Sequence, residues 1–248
     1  MTDASMAARF AESDFRVGRV LSRAASVFSR HFLTFFIVTL VAYSPITLLA
    51  RAPTTATTDP AQALIMLGLG FVLLMVLGML SQAVILHAAF QDMRNRPVNL
   101  AESLKVGLRR FLPLILLAFV MGVLLVLGLM LLIIPGLILY TMWFVAVAAC
   151  VVERRGPWTS LRRSRELTKG HRWKIFGMLL LLGLISLVSP LLELVLATVG
   201  GDTLALVGNV IWTAIAAAFT SIAVAVTYHD LRVAKEGIDI EQIAAVFD

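Results

Sequence analysis

The residues able to do chemistry are few and lie far apart. Of 248 residues, 60% are apolar and 15% charged, and the long apolar blocks contain one carboxylate, Glu193 in SPLLELVLATVG. A charge in such a block is costly and so a functional candidate. Glu193 lies about 30 Å along a helix from Trp173 at 1.5 Å per residue, near the outer interface, where a solvated carboxylate is the simpler reading than a proton or cation site. His31, His87, His171 and His229 all fall near the inner boundary of a block. No two are spaced i,i+3 or i,i+4, so they read as interfacial groups rather than a metal cluster. Cys150, alone, excludes an intramolecular disulfide and reads as a small buried hydrophobe. No HExxH, GxSxG or P-loop pattern occurs, and no cofactor is implied. Softer polar groups remain inside the blocks, Gln82, Asn209 and Ser221 chief among them. Such groups bond between helices or to their own backbone. With Glu193 they are the candidate intramembrane polar positions.

The densest charge is SLRRSRELTKGHRW at 160–173, with Arg162, Arg163, Arg165, Lys169 and Arg172. Nucleic-acid binding is disfavoured because neither stacking aromatics nor a folded basic domain accompanies it. Two compatible readings remain: the cluster sets membrane topology, and its cations contact anionic lipid at about 1 kcal/mol per residue.

These residues must be positioned by membrane helices. A span needs about 20 mainly apolar residues, and the mean hydropathy is +0.93. The blocks predict spans near 32–50, 62–90, 174–199 and 203–228, together with 111–152, which carries no Asp, Glu, Lys or Arg. At about 63 Å as one helix, that last block is twice the hydrocarbon thickness. Pro135-Gly136 in IIPGLIL therefore predicts a hairpin of spans 111–134 and 137–152. Charge placement agrees. Segments 1–31, 91–110, 153–173 and 229–248 hold 5, 5, 7 and 2 Lys or Arg, whereas the opposite loops hold only Arg51. By the positive-inside rule both termini are cytoplasmic. The N-terminus lacks an apolar signal region, so the first span is expected to act as an uncleaved insertion signal. The outside loops are short, so a protein partner must meet the cytoplasmic face or the intramembrane surface.

The expectation is thus an all-α, polytopic integral membrane protein with six transmembrane helices, a single membrane domain over 1–248 and a cytoplasmic tail at 229–248. Each long inside segment has helical periodicity. Val17, Val20, Leu21, Ala24, Val27 and Phe28 form one stripe, opposite Arg16, Arg19, Arg23 and Arg30, as in a helix lying on a membrane surface. Asn99 and Glu102 have capping-box spacing, followed by the line Leu100, Leu104 and Leu108. Pro157 starts the third helix, Leu161, Ser164, Leu167 and Thr168 share its face, Arg162 and Glu166 can pair, and Gly170 stops it. In the tail, Gly237 breaks the helix and Asp239 caps another, with Ile240, Ile243, Ala244 and Phe247 as its apolar face. After each basic helix come an aromatic (Phe32, Phe111, Trp173), a span and a proline (Pro45, Pro135, Pro190). That order predicts three parallel units of surface helix plus hairpin, although their spacings, 79 and 62 residues, differ.

The stretches IIPGLIL at 133–139, VVERRG at 151–156, LRRSRELTKGHRWKIFG at 161–177 and YHDLRVAKEGIDIEQIA at 228–244 resemble the membrane domain of the glycerophosphoryl diester phosphodiesterase family. They are more loosely similar to the YciC-type inner-membrane proteins. The resemblance covers the last half of the chain and implies a multi-span bacterial membrane domain, in some members fused to a soluble phosphodiesterase barrel. A barrel needs about 250 residues, and this chain is taken up by membrane helices, so the resemblance carries over no catalytic residue. The expected role is non-catalytic accessory or scaffold work in the inner membrane, in envelope or lipid homeostasis, with membrane lipid as partner and no nucleic acid. The alternative is a transporter or channel for a small or lipid-like solute past Gln82, Asn209 and Ser221. The third reading, an intramembrane enzyme, needs Glu193 to meet another catalytic group.

Overall fold

Val20, Ala24 and Val27 recur at helical spacing, and in the computed structural model they are the buried stripe of α1, Val17–Arg30. The structure describes residues 15–50, 60–131, 133–154 and 156–236. There follow α2 (Phe32–Ala50), α3 (Pro60–Met93), α4 (Leu100–Arg109), α5 (Phe111–Leu131), α6 (Ile133–Trp143), α7 (Ala146–Val152), α8 (Pro157–Thr168) and α9 (Arg172–Glu236). No strand occurs among the described residues. Four helical stretches are long and apolar enough to cross a membrane, in α3, α5, α6 with α7 (Ile134–Val152) and α9, or five if the bent pair α1 and α2 is taken as one span. The C-terminal tail from Gly237, the loop holding Arg51, and residues 1–14 lie outside the described residues.

The 65-residue α9 is two limbs, 172–200 and 202–236, joined at Gly201 with φ 73° and ψ −175°. That backbone region is open only to glycine. Trp212 Nε1 donates to the Ile185 carbonyl at 3.0 Å, and Thr227 lies against Met178, so the limbs run antiparallel. A second hairpin joins α5 to α6. The turn does not lie at Pro135-Gly136, as the breaker rule predicted; α6 already begins at Ile133. Pro135 is therefore in the first turn, where the missing N–H removes no intrahelical bond. The span expected over 137–152 is interrupted at Phe144–Val145, between α6 and α7.

The apolar stripe of α1 packs inward. Val20, Ala24 and Val27 belong to the same buried cluster as Ile222 and Val226, and Phe28 meets Phe219 edge-on with centroids 6.1 Å apart. Here the expectation of a stripe facing lipid is corrected: the last helix covers it. The chain bends by 89° between α1 and α2. Helix α8 likewise buries Ser160, Leu161, Ser164, Leu167 and Thr168, and Gly170, at φ 91°, lies beyond its end. Helix α4 does the opposite. Its leucine line, Leu100, Leu104 and Leu108, is exposed, while Ser103 and Gly107 are buried. A side chain at Gly107 would meet Leu80 at 3.1 Å, so the small face admits α3 and the leucines turn outward. Along the chain a short helix precedes two long apolar stretches three times, but α4 presents the face that α1 and α8 hide.

Polar contacts gather the helix ends at one end of the bundle, called here the basic end. Arg30 and His31 reach Asp92 at the end of α3, each at 3.0 Å. Arg19 and Arg23 approach Asp230 near the end of α9 at 3.9 and 3.5 Å. Arg110, before α5, donates to the Arg154 carbonyl at 3.1 Å, and Lys174 Nζ donates to the Phe15 carbonyl at 2.8 Å.

Candidate functional site

The sequence from Arg162 to Arg172 divides into two chemistries. Arg162, Arg165, Glu166 and Lys169 follow i, i+3, i+4, i+7 spacing and share one face of α8. The turn through Gly170 brings Arg172 alongside them. These five line one pocket of about 280 Å³. Four cations against one carboxylate leave it strongly positive. Glu166 accepts from Arg162 Nε at 3.2 Å in an exposed i,i+4 pair. Arg165, Lys169 and Arg172 have no ion-pair partner among the described residues, and the buried Arg172 Nε has no hydrogen-bond acceptor there. The pocket's excess of three positive charges, with Arg165, Lys169 and Arg172 lacking ion-pair partners among the described residues, favours an anion. Trp158 and Trp173 flank the pocket in sequence and are 66% and 84% exposed. Exposed tryptophans of this kind suit the level of lipid headgroups.

Arg163 points elsewhere, which corrects its expected place among the lipid-facing cations. Its side chain is only 16% exposed, and its Nε donates to Glu153 Oε1 at 2.6 Å while Nη2 donates to Glu236 Oε1. Tyr228 donates its hydroxyl to the same Glu153 oxygen at 2.8 Å, and Arg232 Nε donates to Glu236 Oε2 at 2.8 Å. This latch joins the exit of α7, the face of α8 and the end of α9. Burial alone would lower the Arg163 pKa, but the bonds to Glu236 and Glu153 outweigh it and raise it. Burial would raise the Glu236 carboxyl, yet Arg163 and Arg232 hold it below its ordinary value of 4.5. A carboxylate with a depressed folded pKa stabilises at every pH above its unfolded value and loses that contribution as pH falls through the folded one. The contribution of Glu236 to the thermal midpoint should therefore be constant from neutrality to about pH 5 and be lost in the acid range below about 4. Glu236→Gln should lower the neutral-pH midpoint and remove part of that acid slope. An unchanged slope would show that Glu236 does not report the latch.

Sequence reasoning foresaw the Arg162–Glu166 pair but missed the latch and the pairs of Asp92 and Asp230. The available signal was that Asp92, Glu153 and Asp230 each stand just beyond a long apolar run. The histidines go to four separate partners: His31 to Asp92, His87 to Ser103, His171 to the Phe15 ring and His229 to Asp230. No group of three or more metal-binding side chains occurs among the described residues.

The intramembrane candidates split into two sets. Glu193 accepts from Asn209 Nδ2 at 2.7 Å, and Asn209 also donates to Ser189 Oγ at 3.1 Å, so this set ties the two limbs of α9 together. Gln82 and Ser221 instead line a second cavity, about 460 Å³, between α2, α3 and both limbs of α9. Ser221 Oγ donates to the Ala217 carbonyl of its own helix.

Fold and site together define an all-helical protein with several helices of membrane-spanning length and apolarity and a cationic pocket at one end. No family model matches the chain, nor does any curated protein or solved structure.

Proposed function

We propose that this is a six-span protein of the bacterial inner membrane with both termini cytoplasmic. It acts without a catalytic centre of its own, holding the phosphate of an anionic lipid at its basic end in an accessory or scaffold role in envelope or lipid homeostasis. The six traverses are α2, α3, α5, α6 with α7, and the two limbs of α9. Their support is that the starts of α2, α5 and α9 and the ends of α3, α7 and α9 are joined by contacts at one end, which requires an even number of crossings. The bacterial setting rests on the motif resemblance alone. Three surface-helix units remain part of the proposal, with α4 turned to place its leucines against hydrocarbon.

One observation carries the lipid reading: Arg165, Lys169 and Arg172 converge on one pocket whose carboxylate, Glu166, is paired with Arg162, beside exposed tryptophans. The test uses the full chain in nanodiscs of phosphatidylcholine with a minor fraction of phosphatidylglycerol. Arg165→Gln, Lys169→Gln and Arg172→Gln together should reduce retained phosphatidylglycerol about a hundredfold, from about 1 kcal/mol per interfacial cation. Equal retention by wild type and the triple variant would overturn the site. Displacement by millimolar inorganic phosphate would reassign it to a free anion. The transport alternative is less supported, because Asn209 and Glu193 bond one another between helices rather than lining a path with Gln82.

A further inference from the structure

We propose that the cavity between α2, α3 and the two limbs of α9 is a binding site for a neutral lipid of the diacylglycerol kind, carrying uncharged hydroxyl and ester groups on hydrocarbon chains. This site is separate from the basic pocket and does not depend on the reading of that pocket. The argument begins with unsatisfied polar groups. Hydroxyls inside these helices ordinarily bond to the preceding turn. Ser186 donates to the Leu182 carbonyl, Ser221 to Ala217 and Thr227 to Ala223.

Gln82, Thr213 and Thr220 are different. All three line the cavity, and none of their side chains makes a hydrogen bond among the described residues. A carboxamide has two N–H donors and an oxygen acceptor, and leaving it bare in hydrocarbon is expensive. Gln82 and Thr220 each stand ten residues from the acids at the basic end, Asp92 and Asp230. That is about 15 Å along each helix, so the two reach the same depth, near the middle of a bilayer of about 30 Å. Thr213 is two helical turns deeper on the Thr220 face.

Charge and shape then select the ligand. No Asp, Glu, Lys, Arg or His lines the cavity, so nothing there would compensate a charged headgroup. Leu74, Met75 and Met79 supply apolar wall, and methionine adapts to irregular chains. Trp212 is held in place by its bond to Ile185. A cavity of about 460 Å³ is within the range of small-ligand sites. Hydroxyl and ester oxygens would complete the hydrogen bonds of Gln82, Thr213 and Thr220, with the chains lying along the methionine wall.

The test is photolabelling of the full chain in phosphatidylcholine nanodiscs by a diacylglycerol bearing a diazirine, against the same diazirine on phosphatidylcholine. The diacylglycerol probe should label residues 74–82 and 212–221 about tenfold more than the control probe, and excess dioctanoylglycerol should suppress that labelling. Gln82→Leu, Thr213→Val and Thr220→Val combined should reduce it by about tenfold or more, as expected for the loss of several net hydrogen bonds. Competition on wild type keeps the test decisive if the triple variant does not fold. Equal labelling by both probes, or no competition, would overturn the proposal. So would rapid modification of Met75→Cys by a membrane-impermeant thiol reagent, because the cavity would then hold water. Phosphatidylglycerol retention, read on the same nanodiscs, reports the basic pocket independently.

Discussion

Arg163→Gln should be the most damaging single substitution in the basic segment, although the sequence offers it as one cation among five. Removing the cation takes from Glu153, whose side chain is 8% exposed, its charged partner at 2.6 Å, and leaves Glu236 to Arg232. Breaking a buried pair from one side costs about 3–5 kcal/mol because the other charge stays desolvated. The partial exposure of Arg163 and Glu236 places the expected cost at the lower end of that range. For a chain of this size, about 3 kcal/mol corresponds to a fall in thermal midpoint of roughly 6–12 °C. Arg162→Gln is the internal control. Arg162 is 82% exposed and its pair with Glu166 is solvated, so its loss should stay within about 0.5 kcal/mol. The thermal midpoint of the purified chain in mild detergent separates the two. The pair argument also predicts partial recovery in Glu153→Leu with Arg163→Met, because an apolar replacement of both partners removes the stranded charge. Equal midpoints for Arg163→Gln and Arg162→Gln would sink the latch as a stabilising element.

That difference between neighbouring arginines shows what the sequence could convey. Apolar length and the charge edge at Arg30 and His31 placed the start of α2, which begins at Phe32, because a helix in hydrocarbon starts where charge stops. Capping chemistry is equally local. Asn99 accepts from the Glu102 amide as its spacing predicted. The reciprocal bond was misassigned: the Asn99 amide donates to Gln91, which also donates to Glu102. Gln91 comes from the previous helix, and no window around Asn99 contains that information. The same limit hid the latch, since Arg163 and Glu236 are 73 residues apart. Periodicity found the stripes of α1, α4 and α8 but could not say what each would meet. In α4 the small face won because α3 needed a close approach, not because leucines were scarce. Composition alone also could not distinguish Gln82 from Asn209. Both are isolated amides in apolar helices, yet one bonds across a hairpin and the other opens on a cavity.

The hairpin of α5 and α6 gives the second large expectation, Gly136→Val. An added Cβ at Gly136 would lie 2.6 Å from Leu129 Cγ and 3.0 Å from the Leu129 backbone nitrogen. The leucine side chain can rotate away, but the backbone cannot move without separating the helices. Across the hairpin, a Cβ at Gly128 would stand 3.3 Å from Gly136 Cα, so the two backbones touch where small residues permit it. Overpacking costs about 1–3 kcal/mol, or a midpoint fall of roughly 2–12 °C at this chain length. Gly177→Ala meets nothing within 4 Å and should leave the midpoint unchanged or slightly raised. The displacement should also reach the basic pocket. The Met142 carbonyl on α6 accepts from Ser164 at 2.8 Å and Thr168 at 3.3 Å, which seats α8. Gly136→Val should therefore weaken phosphatidylglycerol retention as well as stability, while Gly177→Ala changes neither. A valine tolerated without loss of midpoint would mean that the limbs do not approach at Gly136. A lowered midpoint with full lipid retention would instead mean that the hairpin packs as described but does not position α8.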